Sequence, residues 1–144
     1  MNSQIRRAFL WLIIVQAVHS AEEFVFRFYE EFPPMRLLYR DAPQLAKPAF
    51  AISNVFLFFA GLVCFYYWVR PARRGVGTVV WVWIIIEAFN VIAHSVWAIS
   101  TKGYNPGLAT VFLFVPLLVW LWRAMRSASS AGAAGQVMRA DDRG

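Results

Sequence analysis

An all-α fold, a polytopic bundle of four transmembrane helices, is what this sequence predicts, and three observations carry the prediction. The 144 residues are 60% hydrophobic and only 15% charged, whereas a soluble domain carries about 25% charged residues. A domain of ~150 residues buries only about 70% of the surface that its unfolded chain exposes, so this much apolar surface cannot be hidden from water. Four continuous apolar stretches also reach the roughly 20 residues that a helix needs to cross a bilayer.

The predicted helices cover about residues 8–29, 48–69, 77–99 and 107–125. A helix satisfies its backbone hydrogen bonds internally, as hydrocarbon demands, and continuous rather than alternating apolar runs exclude membrane strands. Prolines bracket residues 33–48, a basic Pro/Gly segment spans 70–75, and a Pro/Gly turn spans 102–107. We therefore expect one transmembrane domain over residues 1–126. The Ala-, Gly- and Ser-rich residues 127–144 predict a disordered cytoplasmic tail.

Charge sets the expected orientation. Lys and Arg number 14 against 8 Asp and Glu, a net charge of +6. No sequence motif supports a nucleic-acid partner for this positive charge. Arg-rich cytoplasmic loops, by contrast, are typical of membrane proteins. One side of the predicted bundle gathers Arg6, Arg7, Arg70, Arg73, Arg74, Arg123 and Arg126. The other side gathers Arg36, Arg40, Lys47 and Lys102. This bias predicts a multi-pass protein of the cytoplasmic (plasma) membrane with both termini in the cytoplasm.

A secretory signal peptide is the competing interpretation of the N-terminal segment. Residues 2–7 are basic, residues 8–18 form an apolar core, and residues 18–20 resemble a cleavage site. Against cleavage, the apolar character resumes at once and continues to Phe28. The sequence thus favours a retained first helix and leaves a cleaved leader as the alternative.

Polar and ionisable residues interrupt two of the apolar stretches. Insertion scales make a charged residue at a helix centre unfavourable by about 2.5–3.5 kcal/mol, so such residues indicate function. The residues concerned are His19, Glu22 and Glu23 in the first predicted helix, and Glu87, Asn90 and His94 in the third. At about 100° and 1.5 Å per residue, each set gathers on one helix face, and the two sets reach similar depths.

Two histidines with one or two carboxylates form a ligand set known for catalytic zinc and suited to non-haem iron. The one cysteine, Cys64, excludes a site built from several cysteines. We therefore expect a divalent metal, zinc or iron, on His19, Glu23, Glu87 and His94. The same residues without a metal would support acid–base chemistry.

Neighbouring residues complete the predicted site. Glu22 and Glu87 are candidate catalytic proton acceptors, and Tyr104 is a candidate lid or proton donor. Asn90, Asn54 and Arg27 are expected to hydrogen-bond to the ligands or to offset their charge. Plainer interpretations stay open: interhelical hydrogen bonds for His and Asn residues, an ion pair within one helix for Arg27, and an ordinary turn around Tyr104.

The motif His19-Ser-Ala-Glu22-Glu23 matches the His-x-x-Glu-Glu motif of the HXXEE family of small membrane proteins, which this sequence resembles. That family also has a second histidine and a Tyr-x-Pro-Gly motif, to which His94 and Tyr104-Asn-Pro-Gly107 correspond. The features follow family order over about residues 8–125. The resemblance implies that the first helix is retained, and it implies no particular reaction, because the family's function is uncharacterised.

Together these observations favour a membrane enzyme, metal-dependent or purely acid–base, that acts on a lipid-like substrate within the bilayer. Intramembrane Glu and His residues also serve as proton relays, so a small proton-coupled transporter is the alternative. A third interpretation is a structural membrane protein whose His and Glu side chains join its helices. An oligomer is compatible with each of the three.

Overall fold

The computed structural model describes residues 3–141, with side chains described as far as residue 128, and this part of the chain is helical without a strand. Its helices are α1 (Ser3–Val25), α2 (Phe28–Glu31), α3 (Pro33–Leu38), α4 (Ala46–Cys64), α5 (Val76–Thr101), α6 (Leu108–Val111) and α7 (Phe114–Asp141). A 3₁₀ turn, Pro43–Leu45, precedes α4, and a π-helical turn, Phe65–Val69, continues it.

Four helical regions are long and apolar enough to cross a membrane: Ser3–Val25, Pro43–Val69, Val76–Thr101 and Leu108–Ala128. The predicted all-α fold with four spanning helices is confirmed. The first helix ends four residues earlier than predicted, because Arg27 adopts a left-handed backbone (φ 58°) that separates α1 from α2. The length of an apolar run shows which residues can lie in lipid, but it does not show where the helix is interrupted within them.

The last helix, α7, runs from Phe114 to Asp141. Alanine recurs in its second half and has the highest helix propensity of all residues. The disordered cytoplasmic tail expected over residues 127–144 stays a prediction. Residues 142–144 lie outside the described residues.

The core divides into an apolar half and a polar half. α1 is the central helix and packs against both α4 and α7, while α5 packs against α7. In the apolar half, Phe9, Leu12 and Ile13 of α1 are fully buried and form one cluster with residues of α5 and α7. Since lipid tails are as apolar as leucine, close packing rather than exclusion of water stabilises these contacts. The polar half begins one turn further along α1.

A connection between α5 and α6 folds back over the polar half. Lys102 (φ 53°) ends α5, and Gly107 (φ 91°) begins α6. The fourth span then breaks between α6 and α7, just before Pro116. Proline has no backbone N–H and crowds the carbonyl group four residues earlier, which accounts for the break. The residues from Lys102 to the end of α6 lie against α1 and α5, and we call this segment the roof.

Candidate metal centre

Three buried side chains meet beneath this roof. His19 and Glu23 lie one turn apart on α1, and His94 lies on α5; their exposed fractions are 0%, 6% and 3%. Glu23 Oε1 is 3.6 Å from His19 Nε2 and 3.2 Å from His94 Nε2. One ligand atom from each residue comes within 4.8 Å of the other two. We call these three residues the His/Glu trio.

The hydrogen bonds of His19 determine which of its ring nitrogens carries the proton. Its Nδ1 lies 2.9 Å from Thr110 Oγ1. The single hydroxyl hydrogen of Thr110 is donated to Glu22 Oε2, so the hydroxyl oxygen accepts from His19 Nδ1–H. A neutral His19 then has its lone pair on Nε2, which is buried and has no hydrogen-bond partner.

His94 has the same arrangement. Its Nδ1 lies 3.2 Å from Asn105 Oδ1, and an amide oxygen can only accept. His94 Nδ1–H therefore donates, which leaves the lone pair of a neutral His94 on Nε2. That atom faces Glu23 Oε1.

Two imidazole lone pairs and a carboxylate oxygen thus converge in a buried space. Such a group needs a cation between its members, either a proton or a metal ion, because buried charges are stable only when paired or coordinated. Ligand atoms on a tetrahedral zinc ion, each about 2.0–2.1 Å from it, lie about 3.3 Å apart. The two separations that involve Glu23 Oε1, 3.2 and 3.6 Å, are close to that value, and the two histidine ligand atoms lie within 4.8 Å of each other. A histidine ligand that donates its other N–H to a fixed acceptor is usual at metal sites.

Gly107 explains how the roof comes so close to the trio. A Cβ atom on this residue would lie 2.6 Å from His94 Cε1, 2.8 Å from His19 Cε1 and 3.0 Å from Glu23 Cγ. Its positive φ is also unfavourable for residues with a side chain. Only glycine fits at this position without moving the trio.

Glu22 holds the roof in place. Tyr104 Oη–H donates to Glu22 Oε1 at 2.6 Å, and the backbone N–H groups of Ala109 and Thr110 donate to Oε1 and Oε2 at 3.1 and 2.8 Å. With the Thr110 hydroxyl, these donors occupy both carboxylate oxygens. The predicted catalytic candidates Glu22 and Tyr104 are therefore bound to each other at the roof.

Tyr104 lies outside the spanning segments, and its side chain is 55% exposed. Desolvation, and then its hydrogen bond to Glu22 and the negative charge there, raise the pKa of Tyr104 to about 12. The hydroxyl group consequently stays protonated at physiological pH and continues to donate to Glu22.

Glu87, the fourth predicted ligand, is fully buried but is not a member of the His/Glu trio. With the Gln16 amide oriented so that its nitrogen faces Glu87, Nε2 donates to both oxygens of Glu87 at 3.0 Å, and Oε1 lies 3.1 Å from Ser20 Oγ. Ser20 Oγ–H donates to Asn54 Oδ1 at 2.5 Å. Asn90 lies close to both Glu87 and His19.

Arg27, which was predicted to support the site, lies away from the His/Glu trio. α1 ends before Arg27, which removes the one-turn spacing to Glu23 on which the expected ion pair depended. Its side chain is 69% exposed, and Nη1 lies 3.5 Å from Glu30 Oε2 instead. Asn54 Oδ1 accepts a hydrogen bond from Ser20 and is not a member of the trio.

Three residues that the sequence analysis did not select contribute to the site. Thr110 and Asn105 fix the two imidazole rings, and Gln16 binds Glu87. Gln16 could have been selected from the sequence, since it is a polar residue in an apolar run about one turn before His19. Thr110 and Asn105 had none, because only the folded roof brings them to the histidines.

A cavity of about 300 Å³ adjoins the trio and extends between α4 and α5. Its polar lining includes Glu23, His94, Glu87 and Asn90. Most of its remaining wall is apolar or aromatic, including Phe50, Leu57, Ile86, Phe89 and Trp97. Glu23 of α1 and Glu87 and His94 of α5 therefore share one largely apolar cavity.

Comparison with known proteins gives one match. A family model described as a protein of unknown function with HXXEE motif matches residues 10–121, most of the chain. No curated protein and no solved structure matches.

Proposed function

The chain belongs to the HXXEE family of proteins of unknown function, and we propose that it is a metal-dependent membrane enzyme acting on a lipid-like substrate. One observation carries the proposal: the Nε2 lone pairs of His19 and His94 and Glu23 Oε1 converge in a buried space. The set of two His and one Glu is one that catalytic zinc sites use, with the fourth position left for water or substrate. Iron accepts the same donors.

The positions of the other ionisable residues suggest what each would do in catalysis. Glu23 and His94 line the cavity, so an open coordination position at the trio would face it. Glu87 lines the same cavity and is the proposed proton acceptor. Glu22 is unsuited to this role because it does not line the cavity and is held at the roof by its hydrogen bonds. The metal would supply a Lewis acid and would lower the pKa of a bound water molecule.

The same geometry supports a metal-free version of the proposal. A proton shared between Glu23 Oε1 and one histidine Nε2 would fill the role of the cation, and Glu87 and the trio would then act as acid and base. Addition of a chelator distinguishes the versions, because activity of the metal-free enzyme would survive complete removal of zinc and iron.

The experiment reconstitutes purified protein with zinc or iron in bilayers made from total membrane lipid, and mass spectrometry follows the lipids. We expect one lipid class to be converted by the wild-type protein and not by Glu87→Gln or His19→Ala. Ser95→Ala is the matched control, since Ser95 is a polar residue of α5 that does not line the cavity, and its hydroxyl group donates to the Val91 carbonyl group of the same helix. Equal conversion by wild type, Glu87→Gln and His19→Ala would contradict the proposal.

Proton-coupled transport is a second candidate, favoured by the row of polar side chains from Glu87 through Gln16 and Ser20 to Asn54. Such a row can pass protons between helices. Proteoliposomes test it: a pH-driven flux that disappears in both Glu87→Gln and Gln16→Leu, without lipid conversion, would favour transport over the enzyme.

A further inference from the structure

We infer that the cavity beside the His/Glu trio binds an uncharged lipid, one with a hydroxyl, ester or carbonyl group on a long apolar body, which enters sideways from the bilayer between α4 and α5. The inference rests on the proposed function in that the same site performs the chemistry. It adds the class of substrate and its route, and both can be tested without a metal.

The route follows from how the helices pack. In the described part of the chain, α4 packs on α1, whereas α5 meets the second span mainly at the π-helical turn Phe65–Val69. Nearer the roof the cavity lies between the two helices, with Phe50, Asn54 and Leu57 of α4 on one side and residues 86–97 of α5 on the other. Phe89, on the cavity wall, is 72% exposed. In a bilayer this opening faces lipid tails.

The shape fits an elongated apolar molecule. The cavity follows α5 from Ile86 to Trp97, a length of about 16 Å at 1.5 Å per residue. Aromatic side chains line its end near the roof, where Phe28 lies 5.6 Å from the His94 ring and 5.8 Å from the Trp97 ring, centroid to centroid.

The ionisable side chains that line the cavity favour an uncharged lipid. The residues that line the cavity include two carboxylates, Glu23 and Glu87, and among the described residues no Lys or Arg joins them. An anionic headgroup such as a phosphate would find no cationic side chain there to pair with.

Depth points to the same class of lipid. His94 and Glu87 lie about 10 and 21 Å along α5 from its end at Thr101, within a hydrocarbon layer about 30 Å thick. The headgroup of a phospholipid stays at the surface of that layer. The group that reaches the trio is therefore carried by a lipid that can lie deeper.

The test uses the full chain, stripped of metal by a chelator, in phosphatidylcholine nanodiscs. The probe is a long-chain fatty alcohol with a diazirine in its chain, compared with a phosphatidylcholine that carries the same diazirine. After illumination, peptide mapping compares labelling of residues 50–57 and 86–97. We expect the alcohol to label these segments at least tenfold more than the phospholipid, and unlabelled alcohol to compete.

Two variants locate the binding site. Ala93→Trp places a large side chain in the cavity, because Ala93 lines it, and we expect labelling to fall at least tenfold. Ile92→Trp is the matched control, since Ile92 is 59% exposed and does not line the cavity; it should label like wild type. Failure of unlabelled alcohol to compete in the wild type, or equal labelling by the phospholipid, would overturn the inference. A wild-type protein that is labelled as expected, yet binds neither zinc nor iron when these are added back, would overturn the metal proposal alone.

Discussion

Glu22 and Glu23 are adjacent in the sequence yet lie in different environments. Glu22 accepts hydrogen bonds from the roof through both oxygens, whereas Glu23 directs one oxygen toward two histidines. The helix separates them by about 100°, which is enough to divide a single motif into a structural part and a ligand part. The two residues can be tested with the same isosteric change.

Glu22→Gln should mainly destabilise the fold and keep all three metal ligands, because a hydrogen bond to a charged group contributes about 1.5–3 kcal/mol and the amide –NH₂ cannot accept from the roof. We expect unfolding free energy to fall by about 2 kcal/mol. Glu23→Gln should instead lower zinc affinity at least tenfold without loss of stability. Denaturation curves and chelator competition on both variants measure this, and an interchange of the two effects would contradict the assignment.

Thr110→Val should weaken metal binding without removing a ligand. The hydroxyl group accepts from His19 Nδ1–H, and loss of such a partner reduces metal affinity about 10–100-fold. Thr110→Ser restores the hydroxyl group and should restore the affinity. Zinc titration against a competing chelator compares the three proteins, and an unchanged affinity in Thr110→Val would show that the hydroxyl group does not orient His19.

At the scale of elements, the connection between α5 and α6 closes the polar half of the bundle. Its Tyr-x-Pro-Gly sequence looks like turn chemistry alone, yet Tyr104 binds Glu22, Asn105 fixes His94, and Gly107 packs against all three members of the trio. The turn is therefore part of the site.

Gly107→Ala should displace the trio, because the added Cβ would come within 2.6 Å of His94 Cε1. We expect loss of metal binding and lower thermal stability. Gly103→Ala is the matched control in the same connection, where the nearest atom to a new Cβ, the Thr101 carbonyl oxygen, is 3.8 Å away. Equal metal contents and melting temperatures in both variants would contradict the close packing of the roof.

The four spans and the pairing of His19 and Glu23 with His94 followed from the sequence, because apolar length and helical spacing are local properties. The exclusion of Glu87 from the trio did not follow, since rotation of α5 relative to α1 decides which of its polar residues reaches Glu23. The position of Arg27 depended on one left-handed residue. Contacts across the roof, such as that of Thr110 with His19, join residues far apart in the chain and leave no periodic signal.

For the whole molecule, the distribution of Arg and Lys predicts that the 70–75 connection is cytoplasmic and the 102–107 connection is external. Cys64→Ser supplies a cysteine-free background. A membrane-impermeant maleimide on intact cells should then label Gly103→Cys and leave Ala72→Cys unlabelled until the cells are permeabilised. The opposite pattern would reverse the orientation and place the trio near the cytoplasmic surface.

Metal content tests the central claim most directly. Full-length protein, reconstituted with zinc or iron and freed of excess, should hold about one ion per chain, as should Asn54→Ala. His19→Ala and His94→Ala should hold almost none, because each lacks one of the converging Nε2 atoms. A wild-type protein that binds neither ion, or variants that bind as well as the wild type, would contradict a metal centre at the His/Glu trio.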